Sequence, residues 1–143
     1  MGIALGNCKN MIALGHFGFQ RLRSKVAELL DEEFGNRYKD IPDIQRQAYQ
    51  SDSSEKVWEV YNNQLNEIID RNHLDDNVLE FLFQPDCNGK LSYKVCRSLY
   101  NVIKDYDDDI IYGYSGQKNP AKFADFKAIV EDCYKHRRQL IWY

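Results

Sequence analysis

The chain has 143 residues and a mass of 16.9 kDa, the size of one ordinary domain, and halves of it would fall near the lower limit for independent cores. Its 43% apolar content supports a core, its 29% charged content excludes a membrane-embedded protein, and three prolines and eight glycines argue against disorder, collagen or a turn-rich sandwich. Nineteen basic against 22 acidic residues leave a net charge of −3, with no basic excess to suggest nucleic-acid binding.

Residues 1–15 show no helical pattern and are expected to be loosely ordered. Gly2 suggests myristoylation, but position 6 is Gly6 where Ser or Thr is required. Leu5-Gly6-Asn7-Cys8 has the outline of a lipoprotein cleavage box, yet only six residues precede Asn7 and none is basic. No apolar run approaches the length of a membrane span, so no membrane partner is expected.

The first helix is predicted from about Phe17 to Phe34. Phe19, Leu22, Val26, Leu29 and Leu30 recur at steps of three and four and make one apolar stripe, while Arg21, Arg23, Lys25 and Glu28 fall elsewhere. Gly35 and Asn36 end it, because both tolerate the left-handed conformation. Ile41-Pro42 cannot lie mid-helix, but Pro42 suits the first turn of a minor helix through Tyr49. Asp52-Ser53-Ser54-Glu55 reads as a capping box, followed by a helix to about Asp70 that buries Val57, Trp58, Tyr61, Leu65, Ile68 and Ile69. Asp75 caps the next helix, which stops before Pro85.

Pro85-Asp86-Cys87-Asn88-Gly89 is a dense turn signal. Ser92 caps a helix with apolar positions Val95, Cys96, Leu99, Val102, Ile103 and Tyr106. The last helix is predicted to open at Asn119-Pro120 and to run to about His136 through Phe123, Phe126, Ile129, Val130, Cys133 and Tyr134. Asp109–Tyr114 alternates like a strand but is too short and isolated to found a sheet. No sequence repeat is evident. The expected fold is therefore all-α, a single-domain bundle of five to six helices over residues 1–143.

Four cysteines and three histidines are scattered without a close ligand pair, so no metal site is expected. Cys96 and Cys133 fall on apolar stripes and read as small buried hydrophobes. A Cys87–Cys96 disulfide is allowed by spacing and stays open beside the free thiols expected in a bacterial-type cytosol. Asp86-Cys87-Asn88-Gly89-Lys90-Leu91-Ser92 looks like part of a calcium loop. Aligned on Gly89, its first and twelfth positions are Gln84 and Val95, so the essential carboxylates are missing. Lys135-His136-Arg137-Arg138 suits the negative end of the last helix. No nucleophile lies near His136 in sequence, and neither catalysis nor a cofactor is expected.

The unusual segment is Asp105-Tyr106-Asp107-Asp108-Asp109-Ile110-Ile111-Tyr112-Gly113-Tyr114, with four aspartates and three tyrosines in ten residues. A charge run is ordinarily a solvated loop. Here like charges repel, tyrosine is a favoured interface anchor, and Ile110 and Ile111 should tether the segment to the core. A rigid acidic surface of this kind suits a basic protein partner.

Asp109-Ile110-Ile111-Tyr112-Gly113-Tyr114, followed by Asn119-Pro120, resembles part of the colicin nuclease immunity proteins. Those are small four-helix inhibitors of nuclease toxins with an Asp-Leu-Ile-Tyr-Tyr stretch in a short third helix. The resemblance covers about 23 residues, Asp107 to Ile129, and Gly113 interrupts the tyrosine pair. More loosely, the chain is similar in size to the cytosolic immunity proteins of contact-dependent growth inhibition systems. The resemblance implies a non-enzymatic, cytoplasmic immunity protein that neutralises a cognate basic nuclease toxin. The expected contact residues are Asp105, Asp107, Asp108, Asp109, Tyr112 and Tyr114, with Asp75 and Glu80 extending the patch. The alternatives are a helical adaptor or regulatory protein-binding domain, a nucleic-acid-binding regulator using Arg21, Arg23, Lys25 and residues 135–138, and an enzyme whose site assembles only in space.

Overall fold

The structure, a computed structural model, describes residues 2–114 and 116–143. It opens with a β-hairpin, β1 (Gly2–Gly6) and β2 (Met11–Gly15). Contrary to the expectation of no repeat, Ile-Ala-Leu-Gly occurs twice, at residues 3–6 and 12–15, and the antiparallel register sets Ile3 opposite Leu14 and Leu5 opposite Ile12. All four aliphatic side chains therefore share one face. Asn7 holds the turn: its side-chain oxygen accepts from the amides of Lys9 (2.8 Å) and Asn10 (3.0 Å).

A lone hairpin is marginal in water. Two further strands complete it, β3 (Gly89–Leu91) and β4 (Leu140–Trp142). The sheet order is β2-β1-β4-β3, antiparallel throughout. The all-α expectation is thus wrong, and the fold is mixed α/β. Residues 2–15, expected to be loose, supply half of the sheet.

Seven helices accompany the sheet among the described residues. They are α1 (His16–Leu30), α2 (Glu32–Tyr38), α3 (Ile41–Gln50), α4 (Ser54–Asn72), α5 (Asp76–Phe83), α6 (Tyr93–Ile103) and α7 (Phe123–Lys135). Helices α1, α5 and α7 pack on its strands, and α3 and α4 pack on each other away from it. The single helix predicted over 17–34 breaks at Asp31, which is extended (φ −163°) and caps α2 by accepting from the Phe34 amide at 2.9 Å. Gly35 does not end a helix. A Cβ there would lie 2.4 Å from the Glu28 Cα, so glycine lets α1 and α2 close together. The Asp52 box does not form; Ser53 sits at the start of α4, and left-handed His73 (φ 52°) ends it. Asp75 and Ser92 cap α5 and α6 as predicted, accepting from Asn77 (2.9 Å) and Val95 (3.4 Å). α7 starts at Phe123 rather than Asn119-Pro120, since Asn119 is left-handed (φ 52°).

The core lies where the sheet meets α1, α5, α6 and α7. Phe81 stacks on Phe126 (ring centroids 5.6 Å apart) and meets Trp142 edge-on at 5.5 Å. The Trp142 indole N–H donates to the Pro85 carbonyl at 2.9 Å, and its ring covers Gly89, where a Cβ would sit 1.8 Å from it. Leu65, Leu99, Ile103, Phe126 and Val130 are buried as expected, while Trp58 is only half-buried. Cys96 and Cys133 are buried free thiols, and Cys87 is exposed, so the Cys87–Cys96 disulfide is absent.

Candidate protein-binding surface

The Asp105–Tyr114 segment links α6 to α7 and is held at several points. The Tyr106 ring meets Phe123 edge-on at 4.8 Å, and the Tyr106 amide donates to the Ile103 carbonyl at 3.1 Å. The Tyr112 amide donates to Ala121 at 2.9 Å, and its carbonyl accepts from Gly15 at 3.3 Å. Ile111 forms an isolated antiparallel bridge with Lys122, and its carbonyl accepts from the Arg21 guanidinium at 2.8 Å. Gly18 makes this approach of α1 possible, because a Cβ there would overlap the Tyr112 carbonyl oxygen at 1.7 Å.

Asp108 organises the segment from inside. Its carboxylate accepts from the hydroxyls of Tyr106 (2.6 Å) and Tyr112 (2.9 Å) and from the Ile110 amide (2.9 Å). Burial first, and then Asp108, raise the pKa of both tyrosines. Both hydroxyls therefore stay protonated donors well into alkaline solution.

These contacts sort the expected binding residues. Asp105, Asp107, Asp109 and Tyr114 are exposed. Asp108 is half-buried, with its oxygens turned to its own segment. Tyr112 is 1% exposed, so it is a core residue and not a contact; its ring and hydroxyl anchor the segment. Tyr114 lies beside Gly2 and Gly15 of the hairpin. Among the described residues, Asp75 and Glu80 share no hydrogen bond or ion pair with the segment, and Asp75 is occupied as a cap.

The apolar part of this surface departs from the sequence reading, which expected Ile110 and Ile111 to tether the segment to the core; the tether is Tyr106 and Tyr112 instead. Ile110 (40%), Ile111 (45%) and Phe17 (85%) are exposed. Phe17 precedes Arg21 by four residues, so it shares the α1 face whose arginine reaches Ile111. The signal for Phe17 was its place just before the apolar stripe. The sequence reading also missed the cations nearby. Lys127 donates to the Tyr106 carbonyl at 2.6 Å, and Lys25 lies 5.1 Å from the Tyr106 ring centroid.

The other candidate clusters are occupied elsewhere. Lys135 pairs with Glu131 (3.1 Å), and Asp132 pairs with Arg138 (2.7 Å) and faces His136 (3.6 Å). Arg23 is buried, 4% exposed, and cannot join Arg21 and Lys25 in a cationic face. The turn at 86–92 leads into β3, and Asp86 pairs with Arg23 at 3.3 Å. Among the described residues no group of three or more His, Cys, Asp or Glu side chains is placed to hold a metal ion. None of the described helices is long and apolar enough to cross a membrane.

Comparison with protein-family models, with curated proteins and with solved structures returned no match. The four-helix architecture that the colicin immunity resemblance implied is also not this fold.

Proposed function

We propose that this chain is a non-enzymatic inhibitor of the immunity type, which binds a cognate, basic toxin domain through the surface built on residues 105–114. The observation that supports this most is one tethered segment presenting Ile110, Ile111 and Tyr114 beside three outward carboxylates, Asp105, Asp107 and Asp109. Apolar and aromatic contacts set complex lifetime, while flanking charge raises the encounter rate. The buried Tyr112 and the inward Asp108 pre-form the segment, which lowers the ordering cost of association. The partner surface would be basic around an apolar depression.

The test is co-expression with basic nuclease toxin domains, beginning with any that a gene beside this chain's encodes. Protection of the host, and its loss in the Ile111→Ala variant with the fold intact, is the expected outcome. Absence of both protection and binding would remove the reading. A regulatory module for a less basic partner is the second reading. Phe17, 85% exposed at the head of α1, favours it because that residue offers only apolar contact.

A further inference from the structure

Helices α6 and α7 pack against each other and leave an open groove of about 760 Å³ beside their contact. Tyr93, Lys94, Arg97 and Asn101 of α6 and Tyr134 of α7 line it. The four α6 residues recur at helical steps and form one stripe, about 12 Å long at the rise of an α-helix. The chain carries 22 acidic residues against 19 basic ones, yet no carboxylate lines this groove. Lys94 and Arg97 are exposed, and among the described residues neither side chain has an ion pair or a hydrogen bond.

A third cation comes from the turn after α7. Arg137 is left-handed (φ 53°), and the Arg138 amide closes the helix end by donating to the Cys133 carbonyl at 2.9 Å. Glycine ordinarily fills the left-handed position of such an end, because a side chain there strains the backbone. The rest of this basic run is engaged: Lys135 pairs with Glu131, and His136 and Arg138 both face Asp132. Arg137 is exposed and meets no carboxylate among the described residues. Its Cζ lies 5.9 Å from the Tyr93 ring centroid, at the outer limit of a cation–π contact, so the guanidinium is free to take an anion. The Tyr93 and Tyr134 rings are half-buried, and the Tyr100 ring braces Tyr134, with centroids 5.1 Å apart.

We propose that this groove binds single-stranded nucleic acid, with phosphates on Lys94, Arg97 and Arg137 and a base against the Tyr93 and Tyr134 rings. Cations that track a backbone, beside aromatic rings that stack unpaired bases, are the chemistry of such sites. Asn101, at the far end of the stripe, offers both a donor and an acceptor to a base edge. A duplex keeps its bases stacked on one another, so it would use the cations and leave the rings idle. An acidic protein segment would do the same. The groove lies on residues other than 105–114, so the toxin-binding reading stands or falls without it.

The probe is a fluorescein-labelled single-stranded DNA of about twelve nucleotides, followed by fluorescence anisotropy as the full chain is added at about 50 mM salt. Half-saturation at or below about 100 µM protein is expected, and the duplex of the same sequence should bind about tenfold more weakly. Three phosphate contacts predict that log affinity falls against log salt with a slope of about −2, and Arg97→Gln should reduce it to about −1.4. Tyr93→Leu should weaken binding severalfold and leave the slope unchanged, because it removes stacking and no charge. Arg137→Gly puts glycine where the left-handed backbone favours it, so binding should weaken while the thermal midpoint holds or rises. Lys56→Gln makes the same charge change on the exposed surface of α4 and should bind like the parent chain. Half-saturation above about 100 µM, equal affinity for the duplex, or unchanged binding in Arg97→Gln and Tyr93→Leu would overturn the proposal. So would equal affinity for adenosine monophosphate or for a hexaglutamate peptide, which would assign the groove to a free nucleotide or to an acidic protein.

Discussion

Asp108→Ala is the most telling perturbation of the candidate surface, because the residue is acidic, central and turned inward. The substitution deletes three hydrogen bonds at once, from Tyr106 (2.6 Å), Tyr112 (2.9 Å) and the Ile110 amide (2.9 Å). The three losses are unequal. Tyr112 is 1% exposed, so its hydroxyl is stranded, and an unsatisfied buried group costs about 1–3 kcal/mol. Tyr106 is half-buried and Ile110 is exposed, so water takes over there and each loss falls at the low end, about 0.5 kcal/mol. The expected sum is about 2–4 kcal/mol, or a drop in thermal midpoint of about 5–12 °C for a chain of this size. Urea denaturation at neutral pH measures the first quantity and calorimetry the second.

A double-mutant cycle with Tyr112→Phe sharpens the test. Phenylalanine keeps the ring against Phe123 and removes only the hydroxyl. On that background Asp108→Ala no longer strands a donor, so the double variant should be more stable than additivity predicts by about 1–2 kcal/mol. If Asp108→Ala costs less than about 0.5 kcal/mol, or if the two changes add, the carboxylate is a solvated surface charge. The internal organisation of the segment would then be wrong.

Three further outcomes are expected. Gly89→Ala would place a methyl group 1.8 Å from Trp142 Cε2, so the ring must leave its seat on the sheet, and urea denaturation should show a loss of about 1–3 kcal/mol. Leu99→Ala and Ile103→Ala, both 0% exposed, should each cost about 2–5 kcal/mol in the same assay, and a smaller cost than half a kilocalorie would put that residue outside the core. The hydrogen bonds from Arg138, then from Asn7, hold the Asp132 carboxyl below its ordinary value of 3.8 against the opposing effect of burial. The unfolded chain therefore takes up this proton first as pH falls, so the stabilisation is complete above pH 3.8 and is lost below it. Asp132→Asn should flatten that acid limb of a stability–pH curve.

The long helices were legible because their period is written over three turns. Val95, Cys96, Leu99 and Ile103 repeat at helical steps, and all four are buried. The strands were not. β3 and β4 have three residues each, too few to display a two-residue alternation. β1 and β2 are built from Ala, Leu and Gly beside a single Ile each, with Met11 added in β2, a composition with weak strand preference. The doubled Ile-Ala-Leu-Gly across Asn7 and Asn10 was the available sign of a hairpin. Arg23 was also within reach: it stands four residues after Phe19 and three before Val26, on the stripe itself. Its charge led to a solvent placement, whereas the structure buries it among aromatic rings. Tyr112 was out of reach, because its burial depends on Gly18 and Ala121, each distant in sequence or in an irregular segment.

The inward turn of Asp108 and Tyr112 changes what the surface does in binding. The run of aspartates counts four negative charges, but Asp108 is shared between two hydroxyls and an amide, and Lys25 and Lys127 stand against Tyr106. The field beyond the segment is therefore weaker than the count suggests, and salt screens it within about 8–10 Å. Electrostatic steering then becomes the smaller contribution, carried by Asp105, Asp107 and Asp109. In the proposed complex, affinity would come from Ile110, Ile111 and Tyr114, which stand exposed on a tethered segment, with Phe17 beside them. Truncating Ile111 should consequently shorten the life of a complex more than neutralising Asp107 and Asp109 slows its formation. In a partner screen, apolar complementarity should then rank candidates better than their basic charge.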